Sequence, residues 1–91
     1  MIEGDRILLV CGIKDELTGR FLQPNYFESE EEALRWFKFV LNRNEIMADN
    51  AAMYSLYRLA TFGEKSGYSM NTEMPYMIQG GMSVLERTKN A

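Results

Sequence analysis

The fold is decided by the stretch at residues 29–42, which reads SEEEALRWFKFVLN. Ser29 suits the helix N-cap, and Glu32, three residues later, completes a capping box. The apolar residues that follow recur at intervals of three and four, the spacing of one buried helix face. The pattern predicts a helix from about Ser29 to Asn42. The face that it buries against a sheet is formed by Ala33, Trp36, Phe37, Val40 and Leu41.

Two strands are predicted before this helix. Ile7–Ile13 is an apolar run with several β-branched residues, too short for a confident helix, and it predicts a buried strand. A polar turn that ends at Gly19 leads into Arg20–Phe27, the second strand. Because Pro24 lacks a backbone N–H, it places this strand at a sheet edge or marks a bulge. The expected packing residues of the second strand are Phe21, Leu22, Tyr26 and Phe27.

A third strand is predicted after the helix, over residues 53–62. Large side chains fall on both of its faces, and Leu56, Ala60 and Phe62 suit the face that the helix covers. Residues 68–74 are open to two interpretations, a fourth strand or irregular chain. Residues 75–81, rich in Met and Gly, are interpreted as a loop.

These elements predict a small α+β protein in the order ββαβ, with or without a fourth strand. Its antiparallel sheet would carry one amphipathic helix on one face. The chain of 91 residues is long enough for one domain, over residues 1–91. We expect its ordered core at about residues 6–70, and a loop and partly helical tail over residues 71–91.

Composition argues against several classes of function. The chain has no histidine, the commonest general base and transition-metal ligand, and no glycine-rich phosphate loop. The acidic residues Glu28 and Glu30–Glu32 at the start of the helix are better explained by the helix dipole than by paired catalytic carboxylates. We therefore expect no enzyme, and no catalytic, metal or cofactor site. The single cysteine, Cys11, lies in an apolar run that predicts a buried thiol.

Partners are indicated by charge, aromatic content and size. The net charge of −3 disfavours a protein that binds nucleic acid mainly through phosphates. Exposed aromatics beside basic residues would still form a stacking platform for a single strand, and the candidates are Arg20, Tyr57 and Arg58. Because side chains alternate along a strand, Tyr57 and Arg58 should point to opposite faces, with Tyr57 as the stacking residue on the face without the helix. The plainer alternative is that the tyrosines are half-buried sheet residues with solvated hydroxyls. A thin core and an edge strand also predict a homodimer.

The strands and helix carry an ordered set of side chains over roughly residues 7–68. These are Asp15, Phe21, Pro24, Phe27, Ala33, Arg35, Phe37, Asn42, the run Tyr54–Leu59, Phe62 and Gly67. This ordered set resembles the small nonstructural protein of gokushovirus-type Microviridae, which are small circular single-stranded DNA phages. The chain differs from that family in the connector Ala51–Met53 and after Gly67.

The resemblance implies an accessory role in single-stranded DNA synthesis or packaging, through binding of DNA or of replication proteins, and it supplies no catalytic residues. It also implies the cytoplasm of an infected bacterium, which agrees with a chain that has no run long enough to span a membrane. The alternative is a homodimeric interaction module that engages a host or phage protein without binding nucleic acid.

Overall fold

The structure is a computed structural model that describes residues 4–86, with the backbone alone for residues 71–73. Within these residues the chain forms one antiparallel sheet and one main helix, which confirms the predicted α+β class. Short 3₁₀ turns follow the second helix and the last strand. The helices and strands in chain order are β1 (Ile7–Asp15), β2 (Arg20–Phe21), β3 (Asn25–Phe27), α1 (Glu30–Arg43), α2 (Glu45–Asp49), β4 (Tyr54–Gly63) and β5 (Ser69–Gly80).

The sheet has the order β2-β1-β4-β5, and β3 pairs with β1 beside β2. The predicted second strand is thus divided in two, and Pro24 lies in the gap. Both pieces lie on the outer side of β1, which confirms the edge position that Pro24 indicated. Of the packing residues expected here only Phe27 is buried. The exposed ones are Phe21, Leu22 and Tyr26.

Helix α1 confirms the prediction made from its sequence pattern. The Ser29 hydroxyl accepts a hydrogen bond of 3.1 Å from the backbone N–H of Glu32. The Glu32 carboxylate accepts one from the N–H of Glu28, one residue earlier than a capping box requires. Phe37 is fully buried, whereas Trp36 is half-buried and its ring packs against that of Phe27. The buried face is formed by Ala33, Phe37 and Leu41.

A β-bulge at Leu59 changes the face on which each half of β4 displays its side chains. Arg58 lies opposite Cys11 of β1 while Ala60 lies opposite Val10, so Leu59 is the extra residue. Paired residues share a face, and Cys11 belongs to the core beneath α1. The prediction that Ala60 and Phe62 face the helix is therefore wrong, whereas the placement of Leu56 there is confirmed.

Strand β5 occupies most of the segment interpreted as loop and tail. It runs from Ser69 to Gly80, so the prediction of a loop over residues 75–81 is wrong. Its pairing with β4 is irregular between Asn71 and Tyr76, where β5 has several more residues than β4. Of the partly helical tail expected within residues 71–91, the described residues contain a 3₁₀ turn over Gly81–Ser83, and residues 87–91 lie outside the described residues.

Two adjacent glycines at the end of β5, Gly80 in the strand and Gly81 just after it, differ sharply in the space around them. A Cβ atom on Gly81 would collide with the carbonyl oxygen of Ala51 and would lie 2.8 Å from a methyl group of Leu41. A Cβ atom on Gly80 would meet nothing within 4 Å. The end of β5 therefore packs on the connector after α2 only because residue 81 has no side chain.

We expect Gly81→Ala to lower the free energy of unfolding by about 1–3 kcal/mol, because overpacking forces the neighbouring backbone apart. Gly80→Ala is the matched control and should leave stability close to wild type. Urea unfolding of the two variants measures both values. Equal stability of the two would show that β5 does not close against the connector in this way.

Candidate nucleic-acid interface

The face of the sheet turned away from α1, here called the open face, carries a set of aromatic side chains. Side chains of β1 alternate between the two faces of the sheet. The odd-numbered Leu9, Cys11 and Ile13 pack beneath the helix, so the even-numbered residues of β1 lie on the open face. No described helix covers this face. Four aromatic residues lie opposite even-numbered positions of β1 and so share it. They are Phe21, Tyr26, Tyr57 and Phe62.

Tyr57 is the centre of a mixed aromatic and charged group, here called the Tyr57 cluster, that also contains Lys14, Glu16 and Phe21. The Phe21 and Tyr57 rings meet edge to face, with 5.4 Å between centroids and 88° between planes. The Lys14 ammonium lies 5.4 Å from the centroid of Tyr57 and 5.6 Å from that of Phe21, within the range of a cation–π contact. The cluster therefore presents two rings and a cation side by side.

Glu16 orients both polar groups of the Tyr57 cluster. Its carboxylate accepts a hydrogen bond of 3.0 Å from the Tyr57 hydroxyl and lies 3.7 Å from the Lys14 ammonium. Partial burial, together with this bond to an anion, raises the pKa of Tyr57. The phenol thus stays protonated and donates to Glu16 at neutral pH. An anionic ligand that approached Lys14 would compete with Glu16 for the ammonium.

A second aromatic pair lies on the open face toward the start of β1. The rings of Tyr26 and Phe62 are 5.3 Å apart with 53° between planes. Tyr26 pairs with Val10 and Phe62 with Leu8, and Tyr26 leaves 59% of its surface exposed. The open face therefore has an aromatic pair toward each end of β1.

Arg58, the third predicted site residue, lies on the helix-covered face and away from Tyr57. Its guanidinium donates to the Glu30 carboxylate at 3.3 Å and to the Tyr76 hydroxyl at 3.1 Å. Tyr76 also donates to Glu30 in a short bond, and the Arg58 Nε atom is buried without an acceptor among the described residues. Arg58 thus fastens β4 to the start of α1 and to β5, and the structure does not bring it together with Tyr57.

Arg20 also falls away from the open face. It lies opposite Asp15, an odd-numbered residue of β1, and is exposed. Its neighbour Phe21 is the residue of β2 that reaches Tyr57. Of the three predicted residues, the structure places only Tyr57 on the open face. Lys14, which the sequence pattern puts in the turn after Ile13, lies beside it in β1. The available signal was the alternation Leu8, Val10, Gly12, Lys14 along β1.

Cys11 and the acidic residues do not form a further site in the part of the chain that the structure describes. Cys11 is fully buried, as predicted, and desolvation raises the pKa of its thiol to about 11. No group of three potential ligands among residues 4–86 is arranged to hold a metal ion. Within the same range, neither helix has the length and apolar character needed to cross a membrane.

These features define a small α+β protein with one helix-covered sheet face and one open aromatic face. The chain belongs to the Phage ORF5 protein family, whose pattern it matches over residues 8–84. This span includes every residue of the Tyr57 cluster and the second aromatic pair. Comparison with curated proteins and with solved structures gives no match.

Proposed function

We propose that this protein is a non-catalytic accessory factor of a single-stranded DNA phage and that it binds single-stranded DNA on the open face. The observation that carries the proposal is the Tyr57 cluster, in which the exposed Phe21 ring, the half-buried Tyr57 ring and Lys14 lie together on a sheet face without a described helix. Unpaired bases stack on exposed rings, and stacking tolerates any sequence because every base has a π-face. Lys14 would supply the contact to a neighbouring phosphate.

Two observations support the proposed setting of a single-stranded DNA phage. The chain belongs to a phage protein family. The order of its strands, helix and matching side chains along the sequence also resembles the nonstructural protein of gokushovirus-type Microviridae. Such a phage has to synthesise and package a single-stranded genome inside the bacterial cytoplasm. A sequence-tolerant binder of unpaired bases fits a supporting role in either step, acting there on DNA or beside the replication proteins.

The low basic content of the open face predicts an unusual salt dependence. A protein that neutralises several phosphates loses much of its affinity as salt rises, with a slope of about 0.7 per contact for a single strand. Among the residues named on the open face only Lys14 is a cation, and Glu16 already lies 3.7 Å from it. Affinity should therefore come mainly from stacking, and a net charge of −3 is compatible with it.

The proposal is tested by anisotropy titrations of a labelled oligothymidylate and of a duplex of equal length. We expect saturable binding of the single strand and much weaker binding of the duplex, whose bases are already stacked. Raising the salt from about 50 to about 200 mM should weaken single-strand binding only a few-fold. Absence of single-strand binding at low salt and high micromolar protein would contradict the proposal.

A second candidate is supported by the same open face and by the acidic balance of the chain. An aromatic and apolar sheet face on which Lys14 is the one named cation also suits a protein partner, including a second copy of this chain. In that case the protein would be a homodimeric interaction module that engages a host or phage protein. Sedimentation of the protein with and without a labelled oligonucleotide separates the candidates. A stable dimer that excludes the oligonucleotide supports the module, and a monomer that binds it supports the first candidate.

A further inference from the structure

The two aromatic pairs of the open face are joined by apolar side chains into one surface. Gly12 lies between them, and a Cβ atom built on it would lie 3.2 Å from a methyl group of Leu59 and 3.5 Å from the Cβ of Pro24. Side chains of the bulge on β4 and of the gap between β2 and β3 therefore converge over Gly12. They fill the space that the missing side chain leaves between the pairs.

The pairing of β1 with β4 gives the distance between the two aromatic pairs along the sheet. Tyr57 lies opposite Gly12 and Phe62 lies opposite Leu8, four residues away along the strand. At about 3.3 Å per residue this corresponds to about 13 Å. A stacked strand that rises about 3.4 Å per nucleotide covers that distance in about four nucleotides, and a more extended strand needs fewer.

Resting on the proposed function, we infer that the open face holds one continuous segment of single-stranded DNA with two separate stacking positions. One position is the Phe21–Tyr57 pair and the other is the Tyr26–Phe62 pair, with Pro24 and Leu59 as the floor between them. The preferred ligand is therefore a run of about three to four unpaired nucleotides rather than a single nucleotide, because only a run reaches both pairs.

Because the surface between the two aromatic pairs is apolar, a bound segment of DNA would keep its phosphate backbone toward solvent. The residues between the pairs, Val10, Gly12, Pro24, Leu59 and Ala60, carry no charge that would draw phosphates onto the sheet. Bases can lie against this surface while phosphates remain hydrated, so the two ends of the segment are fixed by rings. Binding by both pairs of one short strand adds their contributions, as two linked contacts do in any bivalent ligand.

The test varies the length of the oligonucleotide and removes one exposed ring of the second pair, that of Tyr26. Wild-type protein should bind oligothymidylates more tightly as they lengthen from a dinucleotide to about four nucleotides, and only slightly more beyond that. Tyr26→Ala should remove this gain, with affinity for the tetranucleotide falling about tenfold and affinity for the dinucleotide almost unchanged. Tyr26→Phe should bind like wild type, because it keeps the ring.

Tyr68→Ala is the matched control. Tyr68 is as exposed as Tyr26, at 60% against 59%, but it lines a cleft with Ile7 and Thr61, which belong to the face of the sheet opposite the open face. Its removal should not change affinity at any length. A Tyr26→Ala protein that binds all lengths like wild type, or a Tyr68→Ala protein that is equally impaired, would overturn the two-position site.

The outcomes separate this inference from the proposed function. If wild-type protein binds short and longer oligonucleotides equally and only Tyr57 matters, the single-strand function stands and the second position is wrong. If wild-type protein binds none of the oligonucleotides, both fail. Circular dichroism melting of each variant confirms that a loss of affinity does not arise from a loss of fold.

Discussion

Phe37→Ala should lower the free energy of unfolding by about 3–5 kcal/mol, a large part of the stability of so small a domain. Phe37 is fully buried and belongs to the core cluster that contains Ile13 and Leu56 of the sheet. Truncating its ring removes the transfer energy of the side chain and leaves a cavity that the two layers cannot close. At roughly 4–8 °C per kcal/mol, the melting temperature should fall by at least about 12 °C.

Two neighbours on α1 provide the comparison for Phe37. Trp36 is half-buried against Phe27, so Trp36→Ala should cost clearly less than the full value for a buried ring. Phe39 is 59% exposed with its ring beside Arg43, so Phe39→Ala should cost less than about 1 kcal/mol. The expected order of loss is Phe37, then Trp36, then Phe39. Calorimetric melting that placed Phe39 first would mean that α1 is rotated about its axis.

Helix α1 was predictable because the spacing of its apolar residues and its N-cap indicate the same helix. A helix buries the residues that recur every three or four positions, and no insertion disturbs that period between Ala33 and Leu41. The cap at Ser29 then fixes where the period begins. The sequence thus determined which side of the helix meets the sheet, as well as the presence of the helix.

The face on which each side chain of β4 lies was predictable only in the first half of the strand, because a bulge interrupts the alternation of side chains. The first half obeys the period of two, so Leu56 and Tyr57 were assigned to the correct faces. The bulge at Leu59 then shifts Ala60 and Phe62 to the open face, and Leu59 is apolar like the residues around it. Composition gives no signal for such a bulge, because it arises from pairing with β1 rather than from β4 alone.

The length of β5 was missed for a different reason. Pro75 and the glycines at its end favour a loop when they are considered by sequence alone. Within the described residues β5 pairs with β4 on one side only, so Pro75 lies on an edge strand, where a missing N–H is tolerated. The position of a strand within the sheet thus decides whether proline is compatible with it, and that position is a property of the whole fold.

The candidate site was predicted through one residue and completed by the structure. Alternation placed Tyr57 and Arg58 on opposite faces, and their different surroundings confirm this. The partners of Tyr57 come from the first hairpin, at Lys14 and Phe21. Their proximity depends on the register between β1 and both neighbouring strands, which hydrophobic pattern does not specify in advance. The sequence pattern therefore indicates the stacking candidate Tyr57 but not the neighbouring cation Lys14.

Tyr57→Ala should weaken binding of single-stranded oligonucleotides about tenfold or more, whatever their length, because a stacking aromatic contributes about 1–3 kcal/mol per base. The ring lies at the centre of its cluster, and its removal also takes away the edge-to-face partner of Phe21 and the hydrogen bond to Glu16. Tyr57→Phe separates these effects, since it keeps the ring and loses only the hydroxyl. We expect it to bind DNA within a few-fold of wild type, as measured by anisotropy.

Arg58→Ala is the opposite control, because Arg58 adjoins Tyr57 in sequence but lies on the other face. Its removal leaves Glu30 and Tyr76 without the guanidinium that joins them to β4. It should therefore lower the melting temperature, while the affinity of the folded protein for DNA stays near the wild-type value. Tyr57→Ala should stay folded with only a modest fall in melting temperature, from the loss of a half-buried ring, while its affinity for DNA falls about tenfold or more. If Arg58→Ala instead abolished binding in a fully folded protein, the DNA surface would lie on the helix-covered side and not on the open face.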